Sequence, residues 1–180
     1  MNNQRTLTYL KIVIFLALTL AACSGAPQSQ DAQHYVGAVD GSDAFIGLVS
    51  DGINIRAYVC DGTTDSVNIS AWFQGDVSDG SFALASEGGL SLTGQITESG
   101  VDGTVGFVDS TQHSFSATSA TEPAGLYRLE ETVDGNTTVS GWIILPNGEY
   151  RGGLSLTNLV GGPPAIIGGP PAIQFRLLFP

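Results

Sequence analysis

The chain has 180 residues and a formal net charge of −11, with 17 acidic and six basic residues. Residues 1–22 hold two of the basic residues and no acidic one, so the remaining 158 residues carry a net charge of −13. A surface this acidic repels phosphate backbones and anionic headgroups, which excludes nucleic acid as a partner. That length suffices for one domain with its own core.

The first element in chain order is an apolar run over residues 12–20, preceded by the basic residues Arg5 and Lys11. The run is too short to span a bilayer, and a basic start followed by a short apolar run is typical of a signal peptide. It ends in Leu20-Ala21-Ala22-Cys23, where two small residues stand directly before a cysteine.

This ending resembles the lipobox of bacterial lipoproteins. The resemblance implies cleavage before Cys23, a diacylglycerol on its sulfur and a fatty acyl chain such as palmitate on the new amino terminus. Residues 1–22 would then be the signal peptide and residues 23–33 a flexible polar tether. The implied partner is the membrane, held through the lipid on Cys23, and the implied location is extracytoplasmic. Ser24 after the cysteine implies the outer membrane in a host with two membranes, and otherwise the cell membrane.

Turn dipeptides divide the chain from residue 35 onward, at intervals of about ten residues in its first half, as in an antiparallel meander. Asp-Gly and Asn-Gly favour two-residue hairpin loops, because both central residues there adopt positive φ. The dipeptides are Asp40-Gly41, Asp51-Gly52, Asp61-Gly62, Asp79-Gly80, Gly88-Gly89, Ser99-Gly100, Asp134-Gly135 and Asn147-Gly148. Apolar and polar residues alternate between these turns, which indicates half-buried antiparallel strands.

The pattern predicts eight strands between residues 34 and 118, and further strands at 125–131, 137–145, 149–156 and 173–179. We therefore predict an all-β fold, an antiparallel meander of short strands that closes into a small barrel of the lipocalin or streptavidin kind. Closure removes the open edges that such a meander otherwise leaves. A two-sheet β-sandwich is the alternative. The predicted domain is a single one, residues 34–180, with a Gly/Pro-rich surface loop at 161–172.

No recognisable catalytic or metal-binding pattern occurs in the sequence. His34 and His113 lie far apart and lack metal-ligand spacing. No serine lies in a Gly-x-Ser-x-Gly turn, and the glycine-rich turns precede strands instead of the helix that a phosphate loop requires. Acidic residues that share loops, such as Asp61 and Asp65, are explained by turn formation and do not follow a calcium-loop pattern. We expect no catalytic residue, no metal and no cofactor.

Two other features concern single side chains. Arg56, Tyr58 and Trp72 lie on the less aliphatic faces of two consecutive predicted strands, where they could bind a sugar or another flat ligand. The alternative is that the tyrosine and the tryptophan cover the second face of a sheet. Cys60 has no partner for an internal disulfide once Cys23 carries lipid, and we expect it to be a small buried hydrophobic residue.

Three segments resemble parts of uncharacterised secreted bacterial β-domain proteins. The resemblance would cover most of residues 34–153, implies no activity and carries over no functional residue. The segments are Ala57-Tyr58-Val59-Cys60-Asp61-Gly62, Ala124-Gly125-Leu126-Tyr127-Arg128 and Gly141-Trp142-Ile143-Ile144-Leu145-Pro146-Asn147-Gly148.

Two hypotheses for the function remain open. The first is a lipid-anchored cell-envelope protein that is not an enzyme, whose β domain binds a small-molecule ligand or another envelope component. The second is a lipid-anchored hydrolase of envelope polysaccharide that uses paired carboxylates as acid and base.

Overall fold

The computed structural model describes residues 31–63, 66–133 and 136–156. These residues form eleven strands and no helix, which confirms the predicted all-β fold. The strands are β1 (Gln33–Val39), β2 (Phe45–Ser50), β3 (Asn54–Cys60), β4 (Ser70–Asp76), β5 (Ser81–Ala85), β6 (Ser91–Thr97), β7 (Gly100–Gly106), β8 (Gln112–Ser119), β9 (Gly125–Val133), β10 (Asn136–Ile144) and β11 (Tyr150–Leu156). Within the described ranges, nothing forms a helix long and apolar enough to cross a membrane.

The first eight strands form one antiparallel sheet that is nearly closed into a barrel. Their order in the sheet is β4-β3-β2-β1-β8-β7-β6-β5, so β1 pairs with both β2 and β8. The one unsealed seam lies between β4 and β5, which follow each other in the chain but share no ladder among the described residues. The predicted barrel is therefore confirmed, and the seam is a feature that the sequence pattern did not predict.

A single bridge and a side-chain contact join these two strands beside the turn between them. Ser78 and Ser81 form a single β-bridge around the two-residue turn of Asp79 (φ 50°) and Gly80 (φ 75°). Beyond it, the side chain of Leu84 occupies the space above Gly75, where an added Cβ would lie 2.6 Å from Leu84 Cδ2. At this point the two strands contact through a side chain and share no ladder.

Apolar side chains of alternate strand positions fill the barrel interior, as the sequence alternation predicts. The cluster inside the barrel comprises Tyr35, Val39, Ala44, Ile46, Leu48, Ile55, Ala57, Val59, Ala71, Phe73, Phe82, Leu84, Leu92, Val101, Val105, Phe115 and Ala117. Every one of these residues is buried. Burial of this apolar area is the main stabilising contribution to the barrel.

The last three described strands form a separate sheet in the order β11-β10-β9. The meander was expected to continue through them, but β8 turns back to pair with β1, so the neighbouring edge is already occupied. The small sheet instead packs on the outer face of β1 to β4 and buries a second cluster there. Its buried members are Val36, Phe45, Val49, Tyr58, Cys60, Ala124, Leu126 and Ile143.

The turn dipeptides divide the chain largely as predicted. Gly41, Gly52, Gly89 and Gly148 have positive φ in turns between strands. Asp61-Gly62 differs, because it opens the longer connection between β3 and β4 instead of forming a two-residue hairpin. Gly62 is needed there for close approach, since an added Cβ would collide with the carbonyl oxygen of Gly152.

The barrel has two ends, which we name by the position of the first residue of β1. The tether end carries the beginning of β1, at Gln33, and the turns at residues 51–53, 77–80 and 98–99. The far end carries the turns at residues 40–44, 86–90 and 107–111 and the β3–β4 connection. The predicted signal peptide, nearly all of the tether, the loop at 161–172 and the strand at 173–179 lie outside the described residues.

Candidate functional site

Arg56, Tyr58 and Trp72 lie on one face of β3 and β4, as the alternation predicts. Tyr58 and Trp72 are directly opposite each other, and their rings stack with centroids 4.4 Å apart at 28°. The Tyr58 hydroxyl also shares a 2.8 Å hydrogen bond with the Ser70 hydroxyl. Burial, together with the nearby Cys60 and Asp61, raises the pKa of Tyr58 well above its ordinary value, so this phenol stays neutral.

The small sheet covers this face of the barrel. Tyr58 is fully buried at 0% exposure, while Trp72 and Arg56 are half-buried. The guanidinium of Arg128 on β9 lies 5.6 Å from the Trp72 ring centroid and forms an ion pair with Glu130. Tyr58 therefore acts in packing between the two sheets, and only Trp72 and Arg56 are within reach of a ligand. A ligand-binding role for the three residues stays a prediction.

An open cleft of about 430 Å³ lies where the β10–β11 turn meets the β3–β4 connection. This distal cleft is lined by Thr63, Asn147, Gly148, Glu149, Tyr150 and Arg151. No pattern in the sequence predicted this cleft as a site. The Asn147-Gly148 turn is recognisable from its residues, but its proximity to Thr63 depends on the packing of two sheets, which no local pattern encodes.

Arg151 fixes the position of this cleft. Its Nε donates a 3.0 Å hydrogen bond to the carbonyl of Asp43, in the β1–β2 turn, and a second nitrogen donates to the carbonyl of Tyr150 at 2.9 Å. The guanidinium also lies 4.3 Å from the ring centroid of Phe45, a cation–π contact. The β10–β11 hairpin is thereby held against the far end of the barrel.

Asn147 and Glu149 brace each other within the turn that forms one wall of the cleft. The Asn147 amide donates a 2.9 Å hydrogen bond to the Glu149 carboxylate, and the Glu149 backbone N–H donates to Asn147 Oδ1 at 3.0 Å. Both residues are exposed, and Tyr150 beside them is half-buried. The cleft thus presents an amide, a carboxylate and an aromatic ring to solvent.

The acidic loops are held by local hydrogen bonds. Asp61 Oδ1 accepts from the backbone N–H groups of Asn68 and Ile69 at 2.9 and 2.8 Å. Asp65 lies outside the described residues. No cluster of three or more potential metal ligands occurs in the described part of the chain, and the expectation of no specific calcium site stays a prediction.

Two carboxylates have pKa values that bear on the hydrolase hypothesis. The pKa of Asp51 is lowered, chiefly by the backbone N–H of Asn54, and the pKa of Asp109 is lowered by the Thr111 hydroxyl and N–H. The general acid of a glycoside hydrolase needs a raised pKa. Neither Asp51 nor Asp109 fits that role.

Cys60 and His113, which the sequence analysis considered for chemistry, are both held by packing and hydrogen-bond contacts. Cys60 is buried, as predicted, and its sulfur accepts a hydrogen bond from the Gly62 N–H at 3.2 Å. Burial raises the pKa of this thiol, which opposes reactivity. His113 lies 2.6 Å through Nδ1 from the Asp40 carbonyl and packs edge-on against Phe107. Cys23 and Ser24 lie outside the described residues.

Comparison with known proteins adds no relative. No protein-family model, no curated protein and no solved structure matches the chain.

Proposed function

We propose that this chain is a lipid-anchored protein of the bacterial cell envelope, located on the cell membrane or, where the host has two, the outer membrane. Its β domain is not an enzyme and binds an envelope component, with polysaccharide as the favoured class, at the distal cleft. The observation that carries the proposal is the cleft itself, a polar and aromatic surface that Arg151 attaches to the end of the barrel opposite the start of β1.

The position of the cleft supports this role. β1 begins at the tether end, whereas Arg151 attaches the cleft wall to Asp43 in a turn of the far end. With lipid on Cys23, the tether end faces the membrane and the cleft faces away from it. A site in that position meets the polymers that lie beyond the membrane surface.

The packed barrel interior also favours an external site. Lipocalin-like binders enclose their ligand within the barrel. Here large side chains such as Phe73, Phe115 and Leu92 fill that space, with exposures of 2%, 2% and 0%. A ligand is therefore expected on the surface.

The chemistry of the cleft favours a hydroxyl-rich ligand. Asn147 supplies an amide, Glu149 supplies a carboxylate, and Tyr150 supplies a ring with a polar tip. Amide and carboxylate groups hydrogen-bond sugar hydroxyls, and an aromatic ring covers the apolar face of a sugar. The strong negative charge of the whole chain disfavours strongly anionic polymers, so a neutral or amino-sugar polysaccharide is the expected class.

The binding test uses the full chain, purified in detergent, in a pull-down with insoluble cell-wall polysaccharide from the host. Tyr150→Ala and Glu149→Gln should each lower the retained fraction at least several-fold. Glu87→Gln, an exposed change in the β5–β6 turn, is the matched control and should bind normally. Equal retention of all four proteins would place binding elsewhere, and release of soluble sugar fragments would favour the hydrolase.

The anchoring test is separate. Cys23→Ser should abolish metabolic labelling with a fatty acid and leave the precursor uncleaved by the lipoprotein signal peptidase. Normal processing and membrane retention of the Cys23→Ser protein would contradict the anchor. Density fractionation of the labelled protein then distinguishes the outer membrane from the cell membrane in a host with both.

A further inference from the structure

The lining of the distal cleft contains two charged side chains of opposite sign, Glu149 and Arg151. Glu149 is exposed, whereas Arg151 is half-buried. Which of the two charges a ligand meets depends on the contacts that each side chain already makes within the protein.

The guanidinium of Arg151 is engaged by the protein itself. Its Nε donates to the carbonyl oxygen of Asp43, and a second nitrogen donates to the carbonyl oxygen of Tyr150. The ring of Phe45 lies against it, with 4.3 Å between the guanidinium carbon and the ring centroid. Two of the three nitrogens and one face of this cation therefore hold the hairpin in place and are not available to a ligand.

The carboxylate of Glu149 is oriented and open to solvent. One of its oxygens accepts a 2.9 Å hydrogen bond from the Asn147 amide, while the Glu149 backbone N–H donates to Asn147 Oδ1 at 3.0 Å. Among the residues that the structure describes, this carboxylate has no cationic partner. A carboxylate offers about four acceptor positions, so most of those on Glu149 remain for a ligand.

A protonated amine is the ligand group that fits this carboxylate best. An ammonium group brings three N–H donors and a charge, and a charge-assisted hydrogen bond is about twice as strong as a neutral one. A sugar hydroxyl or an N-acetylated amine offers a single neutral donor in the same place. The net charge of −11 on the whole chain further raises the concentration of a cationic polymer near the domain.

We propose that the distal cleft selects polysaccharide that carries free amino groups, and that Glu149 determines this specificity. The inference rests on the proposed binding at the cleft and adds the chemical group that is recognised. The ammonium group of the sugar bonds the Glu149 carboxylate, which Asn147 orients, and the Tyr150 ring packs on the sugar ring. The same polymer with its amines acetylated binds more weakly.

The test compares two soluble probes that differ only at the amine, the β-1,4-linked tetramer of glucosamine and its N-acetylated counterpart. Calorimetric titration of the full chain in detergent is done at a pH where the sugar amine is protonated. The natural chain should bind the free-amine tetramer about ten-fold more tightly, as expected for one charge-assisted hydrogen bond. Glu149→Gln should remove most of this preference and leave the affinity for the N-acetylated tetramer nearly unchanged.

Glu87→Gln is the matched control, because it removes the same charge from an exposed position in the β5–β6 turn. It should keep the preference for the free amine. Equal losses in Glu87→Gln and Glu149→Gln would overturn the proposal, since general attraction between an acidic protein and a cationic sugar would then explain the binding.

Failure of the amine specificity can be distinguished from failure of the cleft as a site. Equal affinity of the natural chain for both tetramers, abolished by Tyr150→Ala, would keep the cleft as the binding site and overturn the specificity alone. Retention of host polysaccharide without binding of the free-amine tetramer would do the same. Loss of binding to the tetramers and to host polysaccharide alike would overturn both proposals.

Discussion

Gly141 lies directly against the ring of Tyr58. A Cβ at position 141 would be 2.7 Å from Tyr58 Cε1 and equally close to Trp72 Cζ2. The absence of a side chain on β10 is therefore what allows the small sheet to approach the stacked rings. At this point the small sheet packs closely on the barrel because Gly141 lies over the two stacked aromatic rings.

Replacement of Gly141 by alanine should separate the two sheets. The added methyl group has no space, because both rings are fixed by their stack and by the hydrogen bond of Tyr58 to Ser70. We expect a loss of about 1–3 kcal/mol in the free energy of unfolding, the usual cost of overpacking. Urea denaturation measures it. Gly88→Ala is the control, because its nearest atom, Ser86 Oγ, is 3.9 Å away, and it should change stability by less than about 0.5 kcal/mol.

Protonation of Asp51 should lower the free energy of unfolding in acid. Its Oδ1 accepts from the N–H groups of Ile53 and Asn54, and these bonds lower its pKa in the folded state. A lowered folded-state pKa gives stability that is present above the unfolded pKa of about 3.9 and is lost as pH falls through the folded pKa. Asp51→Asn should flatten the dependence of unfolding free energy on pH below about pH 4, whereas Glu87→Gln should not. An unchanged slope in Asp51→Asn would contradict this account.

At neutral pH, the stabilities of two Asp51 variants test the hydrogen bonds of the same loop. Asp51→Ala removes the acceptor from both N–H groups and should cost roughly 1 kcal/mol, as loss of a side-chain cap does. Asp51→Asn retains one acceptor oxygen and should cost less. Equal losses for the two variants would show that the charge, and not the hydrogen bonding, is what stabilises the turn.

Cys60 should be unreactive in the native protein. It is 0% exposed, and burial raises its thiol pKa. A thiol reagent at pH 8 should modify it only through unfolding, so the labelling rate should rise steeply with urea and follow the unfolding curve. Rapid labelling without urea would show that the cover formed by the small sheet opens locally.

Substitutions at the two residues of the Asp79-Gly80 turn should differ in their effect on stability. Gly80 has φ 75°, and a Cβ there would meet Gln95 Nε2 at 2.5 Å, so Gly80→Ala should cost about 1 kcal/mol or more. Asp79 has φ 50°, a conformation that asparagine adopts as well, so Asp79→Asn should be nearly neutral. Thermal unfolding of both variants measures the contrast. A larger loss from Asp79→Asn than from Gly80→Ala would contradict the turn assignment.

The strands and most turns could be predicted from the sequence because their signals are local. Alternation at Ile55, Ala57 and Val59 reports one buried face whatever the partner strand is. The Asp79-Gly80 dipeptide likewise specifies its turn through the φ angles that it permits. These patterns predicted eight strands for the barrel region and three more before residue 157.

The separation of the strands into a barrel and a small sheet could not be predicted from local signals of this kind. It depends on β8 returning to pair with β1, a long-range contact that no local pattern encodes. Tyr58 and Trp72 were correctly placed on one face, but the sequence alone left open whether that face meets solvent or another sheet. The distal cleft could not be predicted either, because Thr63 and Tyr150 are far apart in the chain and meet only when the two sheets pack.

The position of β1 in the barrel has a mechanical consequence. Under the proposed anchoring at Cys23 and binding at the distal cleft, a load between membrane and polymer would enter the domain at Gln33 and act along β1. This strand is bonded on both sides, to β2 and β8, over most of its length. Such a force shears two ladders at once, so many hydrogen bonds must break together, whereas an edge strand such as β5 would unzip one bond at a time. The strand that follows the proposed tether is therefore, like the other interior strands and unlike an edge strand, well placed to resist extraction by pulling.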